Sequence, residues 1–189
     1  MEKFVKHAPI SNLLAANGAK RNGLIAYRTA GGRYWKIFLD KPFETESLSN
    51  KVAYLKTGVD SRVLVAVLSS SLFWWYYSLH FDMYNLKDYM ICGFRFDYHG
   101  KSVLEELSKL SKKLLENLEQ TAEETVIQSR TRGTVTSKLY VVSKSKPIID
   151  KIDCVLAEHY GFTNEELDFI INYDIEYRMG SDTLEGEDE

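Results

Sequence analysis

The feature that most constrains this fold is an uncharged run of 19 residues, Val63 to Phe81, which contains no Asp, Glu, Lys or Arg. A run of this length reaches the lower bound for a transmembrane helix. Four serines dilute it, and its aromatic cluster Trp74–Tyr77 lies inside the run, whereas membrane aromatics favour the two interfaces. We therefore expect a helix buried in a protein core, with Asp60 as its N-cap, and no membrane span. The adjacent serines at 69–71 allow either close helix approach or a break.

Short apolar and aromatic runs on either side of this helix predict β-strands. Leu24–Thr29 and Arg33–Leu39 flank Gly31-Gly32, a dipeptide typical of hairpin turns, so together they predict a β-hairpin. Neither face of the returning strand is cleanly polar, as expected where one side packs and the other binds a partner. Lys51–Lys56 predicts a third short strand, and Tyr89–Phe96 predicts a fourth.

The second half of the chain reads mainly as helices. Leucines at three- and four-residue spacing predict an amphipathic helix over residues 101–120. A loop and a strand at Ser137–Val142 follow it. The next helix has Pro147 in its first turn and ends at Gly161, and the last helix begins at a capping box formed by Thr163 and Glu166.

These elements define an α/β (α+β) fold, with a small mixed sheet and a buried aromatic helix followed by C-terminal helices. We assign residues 1–100 to an α/β core that opens with a loose lead-in at 1–22, and residues 101–180 to a helical part that packs on it. The acidic end, residues 181–189, has no periodicity and is expected to be disordered.

Cysteine usage and the N-terminal residues bear on the compartment. Cys92 and Cys154 are too few for a disulfide framework, and no apolar segment typical of a secretory signal follows the first basic residues. We therefore expect a cytoplasmic protein with reduced thiols. The four histidines are scattered along the sequence without a metal-ligand pair at i, i+4 spacing, so no metal site is predicted.

The formal net charge of −3 hides a strong asymmetry. Residues 1–100 contain 13 bases and 8 acids, whereas residues 101–189 contain 11 bases and 19 acids. Between Glu124 and Asp150 the acidic half carries five bases and no acid. Each basic cluster alone is compatible with a solvated surface, but two clusters in one small acidic protein favour a polyanionic partner.

Three stretches resemble the C-terminal end of large adenine-specific DNA methyltransferases of type II restriction-modification systems. The longest is KPIIDKIDCVLAEHYGFTNEELDFIINYDIEYRMG at 146–180, and that family commonly ends near "FIINYDIxYRMG". YRTAGGRYW at Tyr27–Trp35 and SSSLFWWYYSLHFDMYNL at Ser69–Leu86 resemble the family's "YRSSGGRYF" and "SSLFYWYF…SDxRxLN" segments. Here Trp35 replaces a Phe, and Tyr84 replaces the Arg of the last segment.

The resemblance implies a DNA target-recognition domain, a C-terminal fragment that binds double-stranded DNA and positions it for an upstream methyltransferase domain of the same polypeptide. The full-length parent would use S-adenosylmethionine and would methylate adenine, with or without endonuclease activity. This chain contains no Asn/Asp-Pro-Pro-Tyr/Phe motif, since its prolines at 9, 42 and 147 are never adjacent, and no glycine-rich cofactor loop. We therefore assign no catalytic residue, metal or cofactor to the chain itself.

Candidate DNA contacts follow from the positions of the basic side chains. A two-stranded ribbon fits the major groove, where Arg can pair with guanine while Lys and Tyr mostly hold phosphates. The candidates on or beside the predicted hairpin are Arg28, Arg33, Tyr34 and Lys36. The candidates in loops, better suited to phosphates, are Lys20, Arg21, Arg130 and Arg132. The alternative, in which Tyr34 and Trp35 are core residues and Arg33 is solvated, stays open.

Two other functions are compatible with the sequence. In the first, the chain is a protein-interaction or scaffold module that docks onto a methyltransferase or another subunit through the 101–120 helix and the acidic 150–180 helices. In the second, it is a stand-alone enzyme of unrelated chemistry, which the missing motifs argue against.

Overall fold

A computed structural model describes residues 2–16, 19–30, 35–44, 47–129 and 133–175. The helices are α1 (Glu2–Val5), α2 (Ser61–Leu68), α3 (Ser71–His80), α4 (Asp88–Cys92), α5 (Lys101–Thr121), α6 (Lys146–Tyr160) and α7 (Asn164–Asn172). The strands are β1 (Arg21–Arg28), β2 (Phe38–Leu39), β3 (Asn50–Lys56), β4 (Glu123–Ser129) and β5 (Gly133–Leu139). The mixed α/β class expected from the sequence is confirmed.

The uncharged run forms two buried helices instead of one. Helices α2 and α3 meet at an angle of 60°. The break falls at the serines because the Ser70 hydroxyl accepts a hydrogen bond from Phe73 N–H at 3.1 Å and donates one to Val67 O at 2.6 Å. Ser70 thus caps the N-terminus of α3. In the described part of the chain no single helix is long and apolar enough to cross a membrane, and only this bent pair meets the length and composition criteria.

The main sheet has three antiparallel strands in the order β2-β1-β3. The strand predicted over Arg33–Leu39 is wrong in its described part, because of residues 35–39 only Phe38 and Leu39 pair with β1. Residues 35–37 leave the sheet, since the Trp35 ring stacks on Trp74 of α3 with 5.5 Å between ring centroids. Residues 31–34, which include the predicted Gly31-Gly32 turn, lie outside the described residues.

Two further sequence predictions are wrong. Tyr89–Phe96 is not a strand, because Asp88–Cys92 forms α4 with Met90 and Ile91 buried on one side. The residues at 1–22 are not a loose lead-in over their described part, because Phe4 and Ile10 are 5% and 0% exposed in the core. A short antiparallel bridge between Pro9 and Arg95 joins the two segments.

The C-terminal helices follow the sequence predictions closely. The apolar stripe of α5 is buried between α2 and α6. Pro147 occupies the first turn of α6, Gly161 ends it with a φ of 69°, and Thr163 and Glu166 form the expected capping box. Between α5 and α6, strands β4 and β5 pair antiparallel where the sequence predicts mostly a loop, and the strand predicted at Ser137–Val142 ends at Leu139. Residues 181–189 lie outside the described residues.

Residues from both sides of position 100 share one hydrophobic core. The clearest link is polar: the buried Asp153 of α6 accepts a hydrogen bond from the backbone N–H of Ser71 at 2.9 Å. A carboxylate at this place suits the N-terminus of α3, where free backbone N–H groups point outward.

Candidate nucleic-acid interface

The antiparallel pair β1–β3 forms a ribbon that contains no acidic residue, with the sequences RNGLIAYR and NKVAYLK. Arg21 lies opposite Lys56, and Arg28 lies opposite Asn50. The register shifts between Arg21 and Leu24, where Gly23 adopts a φ of 152° that favours glycine. Bases therefore stand at both ends of the ribbon, with no carboxylate on either strand to neutralise them.

The two faces of this ribbon differ in exposure. Ile25, Tyr27 and Leu55 are buried against the core. Alternation along a strand sends their neighbours to the outer face. There Tyr54 and Val52 of β3 are 40% and 37% exposed, whereas Ala26 of β1 is 0% exposed. The outer face is thus apolar and aromatic in its middle and basic at its ends. This pattern allows contact with bases or sugars between two sets of phosphate contacts.

The basic side chains of the outer face are partly fixed in place. The Arg21 guanidinium lies over the Tyr54 ring, 4.1 Å from its centroid, a cation–π contact that limits its freedom. The Lys56 ammonium donates a hydrogen bond to Asn12 O at 2.7 Å. At the rise of a β-strand, the seven-residue step from Arg21 to Arg28 spans about 23 Å. That distance corresponds to about seven base pairs of duplex at 3.4 Å each.

The structure places the predicted contact residues in three groups. Lys20, Arg21 and Arg28 are exposed on or beside β1. Lys36 is only 7% exposed, with its ammonium 5.8 Å from the centroid of the Tyr77 ring. Burial lowers the pKa of Lys36 to about 8, against an opposing effect of Asp82. Lys36 therefore lies in the protein interior and does not extend the basic outer face. The third group lies outside the described residues: Arg33, Tyr34, Arg130 and Arg132.

Sequence reasoning missed two members of this surface, Tyr54 and Lys56. Both belong to the run KVAYLK, which is predicted as a strand but not as the partner of the basic strand. Two bases flanking an aromatic residue in a short acid-free strand were the available signal.

The second basic stretch is partly neutralised. The Lys138 ammonium lies 2.9 Å from a carboxylate oxygen of Glu119 and 3.1 Å from one of Glu44. Hydrogen bonding to Lys138 is the largest cause that lowers the pKa of Glu119, so this pair stays ionised over a wide pH range. Lys138 therefore anchors the base of the β4–β5 hairpin to the rest of the domain. Over the described residues, no group of three or more His, Cys, Asp or Glu side chains is arranged to hold a metal ion.

Comparison of this chain with protein-family models, with curated proteins and with solved structures finds no match.

Proposed function

We propose that this chain is a DNA sequence-recognition domain, the C-terminal part of an adenine-specific restriction-modification methyltransferase. It binds double-stranded DNA and positions it for the upstream catalytic domain, which binds S-adenosylmethionine in the cytoplasm. The observation that carries the proposal is the acid-free ribbon β1–β3, with exposed bases on both strands of an overall acidic protein. The three segments that resemble the methyltransferase family support it from the sequence.

The members of the ribbon have different tasks in this proposal. Arg28 and Lys56 stand near opposite ends, where they meet phosphates on either side of a groove. Arg21 is held over Tyr54, so its planar group is oriented for a bidentate contact to a guanine. One such contact discriminates against a wrong base by about 1–3 kcal/mol.

The alternative is a protein-interaction or scaffold module, in which the 101–120 helix and the acidic 150–180 helices dock onto a methyltransferase or another subunit. The stripe residues Leu107, Leu110, Leu114 and Leu118 are already buried inside the domain.

The test is fluorescence-anisotropy binding to a random-sequence duplex over a series of salt concentrations. We compare the wild type with a triple variant on the outer face, R21Q/R28Q/K56Q. The matched control is K101Q/K109Q/K112Q, which removes three bases from the exposed side of α5 and gives the same net charge. The plot of log K against log salt has a slope of about −0.9 for each phosphate contact. The ribbon variant is therefore expected to lose up to about 2.7 from this slope.

The control variant should bind nearly as the wild type does. Equal losses in both triple variants would mean that only net charge matters, and the proposed interface would be wrong. Absence of wild-type binding at low salt would overturn DNA binding by this chain and would leave the protein-interaction function as the better explanation. Circular dichroism of each variant verifies that it is folded before binding is compared.

A further inference from the structure

Three of the four histidines, scattered in the sequence, converge in the fold. The ring of His159, near the end of α6, lies 5.3 Å from the ring of His7 and 5.8 Å from that of His99, measured between centroids. The Phe96 ring packs 5.0 Å from His159 on another side. We call His7, His99, His159 and the neighbouring Asp97 the histidine cluster.

The histidine cluster is the place where the N-terminal segment, residues 2–15, is tied to the domain. Asp97 accepts two hydrogen bonds from the segment, one from Ala8 N–H at 2.6 Å and one from His7 Nδ1 at 2.9 Å. Arg95 donates to His7 O at 2.9 Å, and Phe96 N–H donates to Ala8 O at 2.8 Å. These contacts join positions about 90 residues apart in the chain.

Protonation of the histidine cluster opposes this packing. His159 Nε2 is buried and has no hydrogen-bond partner, so a proton added there would have no acceptor. Burial is the largest cause that lowers the pKa of His159, followed by repulsion from His7 and His99, while Asp97 acts in the opposite direction. Tyr160, whose ring meets His159 edge-on, is a neutral neighbour at these pH values. One carboxylate, Asp97, therefore faces the three imidazole rings of the cluster.

We infer that the histidine cluster is an acid-sensitive lock, which holds the N-terminal segment against the domain at neutral pH and releases it as the cluster gains protons. The sign follows from His159. Its folded pKa lies below the unfolded value of about 6.5, so the folded arrangement is favoured above that pH and loses stability as pH falls through the folded pKa. Asp97 remains ionised, because the hydrogen bonds from Ala8 and His7 lower its pKa despite the opposing effect of burial. Asp97 already holds His7 by a hydrogen bond, whereas His159 Nε2 has none, so the change originates at His159.

Release of the N-terminal segment would expose the aromatic pocket that Phe4 occupies. The Phe4 ring lies within 5.9 Å of the Tyr76, Phe94 and Tyr160 rings, measured between centroids. When the segment leaves, these three rings become accessible, and the lock thereby controls the exposure of an apolar surface. This inference is independent of DNA binding, since it depends only on contacts within the domain.

The test is hydrogen–deuterium exchange of the whole chain at pH 7.5 and pH 5.5, corrected for the intrinsic effect of pH on exchange. The amides of Ala8 and Ile10, which donate to Asp97 and to Phe94 O, are the reporters. The opened segment leaves His159 free to take up a proton more readily than the folded cluster allows, so protection at the reporters should fall between pH 7.5 and pH 5.5. His159→Phe keeps an aromatic ring but cannot be protonated, and it should retain protection at both pH values.

The control is His80→Gln, because His80 lies on α3 outside the histidine cluster and is exposed. This variant should open as the wild type does. A second variant, His99→Gln, removes one of the repelling charges from an exposed position and should move the opening midpoint to lower pH. If His159→Phe does not fold, the midpoint shift of His99→Gln takes its place as the test.

Three results would overturn the lock: equal reporter protection at both pH values in the wild type, opening of His159→Phe to the wild-type extent, or loss of protection throughout the domain at once. The last result would show global acid unfolding instead of local release.

Discussion

The bend between α2 and α3 rests on one hydroxyl, and its removal has a calculable effect. Ser70→Ala deletes the oxygen that caps Phe73 N–H and the hydroxyl that donates to Val67 O. Loss of an N-cap costs about 1 kcal/mol, and loss of a second buried hydrogen bond costs about 1 kcal/mol more. We expect Ser70→Ala to lower the free energy of unfolding by about 2 kcal/mol.

The neighbouring serine is the matched control for this variant. The Ser71 hydroxyl is also buried but has no hydrogen-bond partner, while the bond of its backbone N–H to Asp153 does not involve the side chain. Ser71→Ala should therefore change stability by no more than about 0.5 kcal/mol, or should increase it.

Urea denaturation monitored by tryptophan fluorescence measures both variants. With an m-value of about 2 kcal/mol/M, the midpoint of Ser70→Ala should lie about 1 M below that of the wild type. Equal midpoints for the two alanine variants, or a larger loss in Ser71→Ala, would refute the assignment of the bend to Ser70.

Three further predictions use the same denaturation assay. Leu114→Ala empties a fully buried position on α5 and should cost about 2–5 kcal/mol. Gly161→Ala should cost about 1–2 kcal/mol from backbone strain alone, because Gly161 has a φ of 69° and an added Cβ would meet no atom within 4 Å; Gly161→Asn should cost less. Burial raises the pKa of Asp60, but hydrogen bonds from Ser108 and Arg62 outweigh this effect and lower it. The stability that ionised Asp60 contributes is therefore present above about pH 4 and is lost as pH falls. Asp60→Asn should therefore flatten the loss of wild-type stability between pH 5 and pH 3.

Local signals in the sequence predicted the elements whose ends depend on local chemistry. Asp60, Gly161 and the pair Thr163–Glu166 all cap helices as expected, because a cap needs only residues within a few positions of it. The leucine stripe of α5 was readable for the same reason, since its period is set by the helix itself.

Tertiary contacts decided the elements that were predicted wrongly. Residues 89–96 have the composition of a strand, but Asp88 accepts a hydrogen bond from Tyr27 at 2.7 Å and the chain turns into α4. An added Cβ at Gly93 would lie 2.9 Å from the Tyr76 hydroxyl, so close packing explains that glycine better than a strand bulge does. No local pattern reports either contact.

The sequence predicted that the chain has a basic surface, but not which residues form it. Arg21 and Arg28 could be chosen from the sequence because they flank an evident strand. Lys36 could not be excluded, because its burial depends on Trp35 stacking against a helix 39 residues further along. The histidine cluster could not be predicted from the sequence either, because its members come from three distant segments that meet only in the fold.

The order of the elements along the chain has a consequence for synthesis on the ribosome. Helices α2 and α3 emerge first, whereas α5 and α6, which cover them, follow later, and Asp153 comes 82 residues after Ser71. Until α6 has left the exit tunnel, an uncharged segment of 19 residues remains without its partners. A nascent chain in that state is prone to aggregation and is a substrate for chaperones. Truncation before α6 should accordingly give insoluble protein instead of a smaller folded domain.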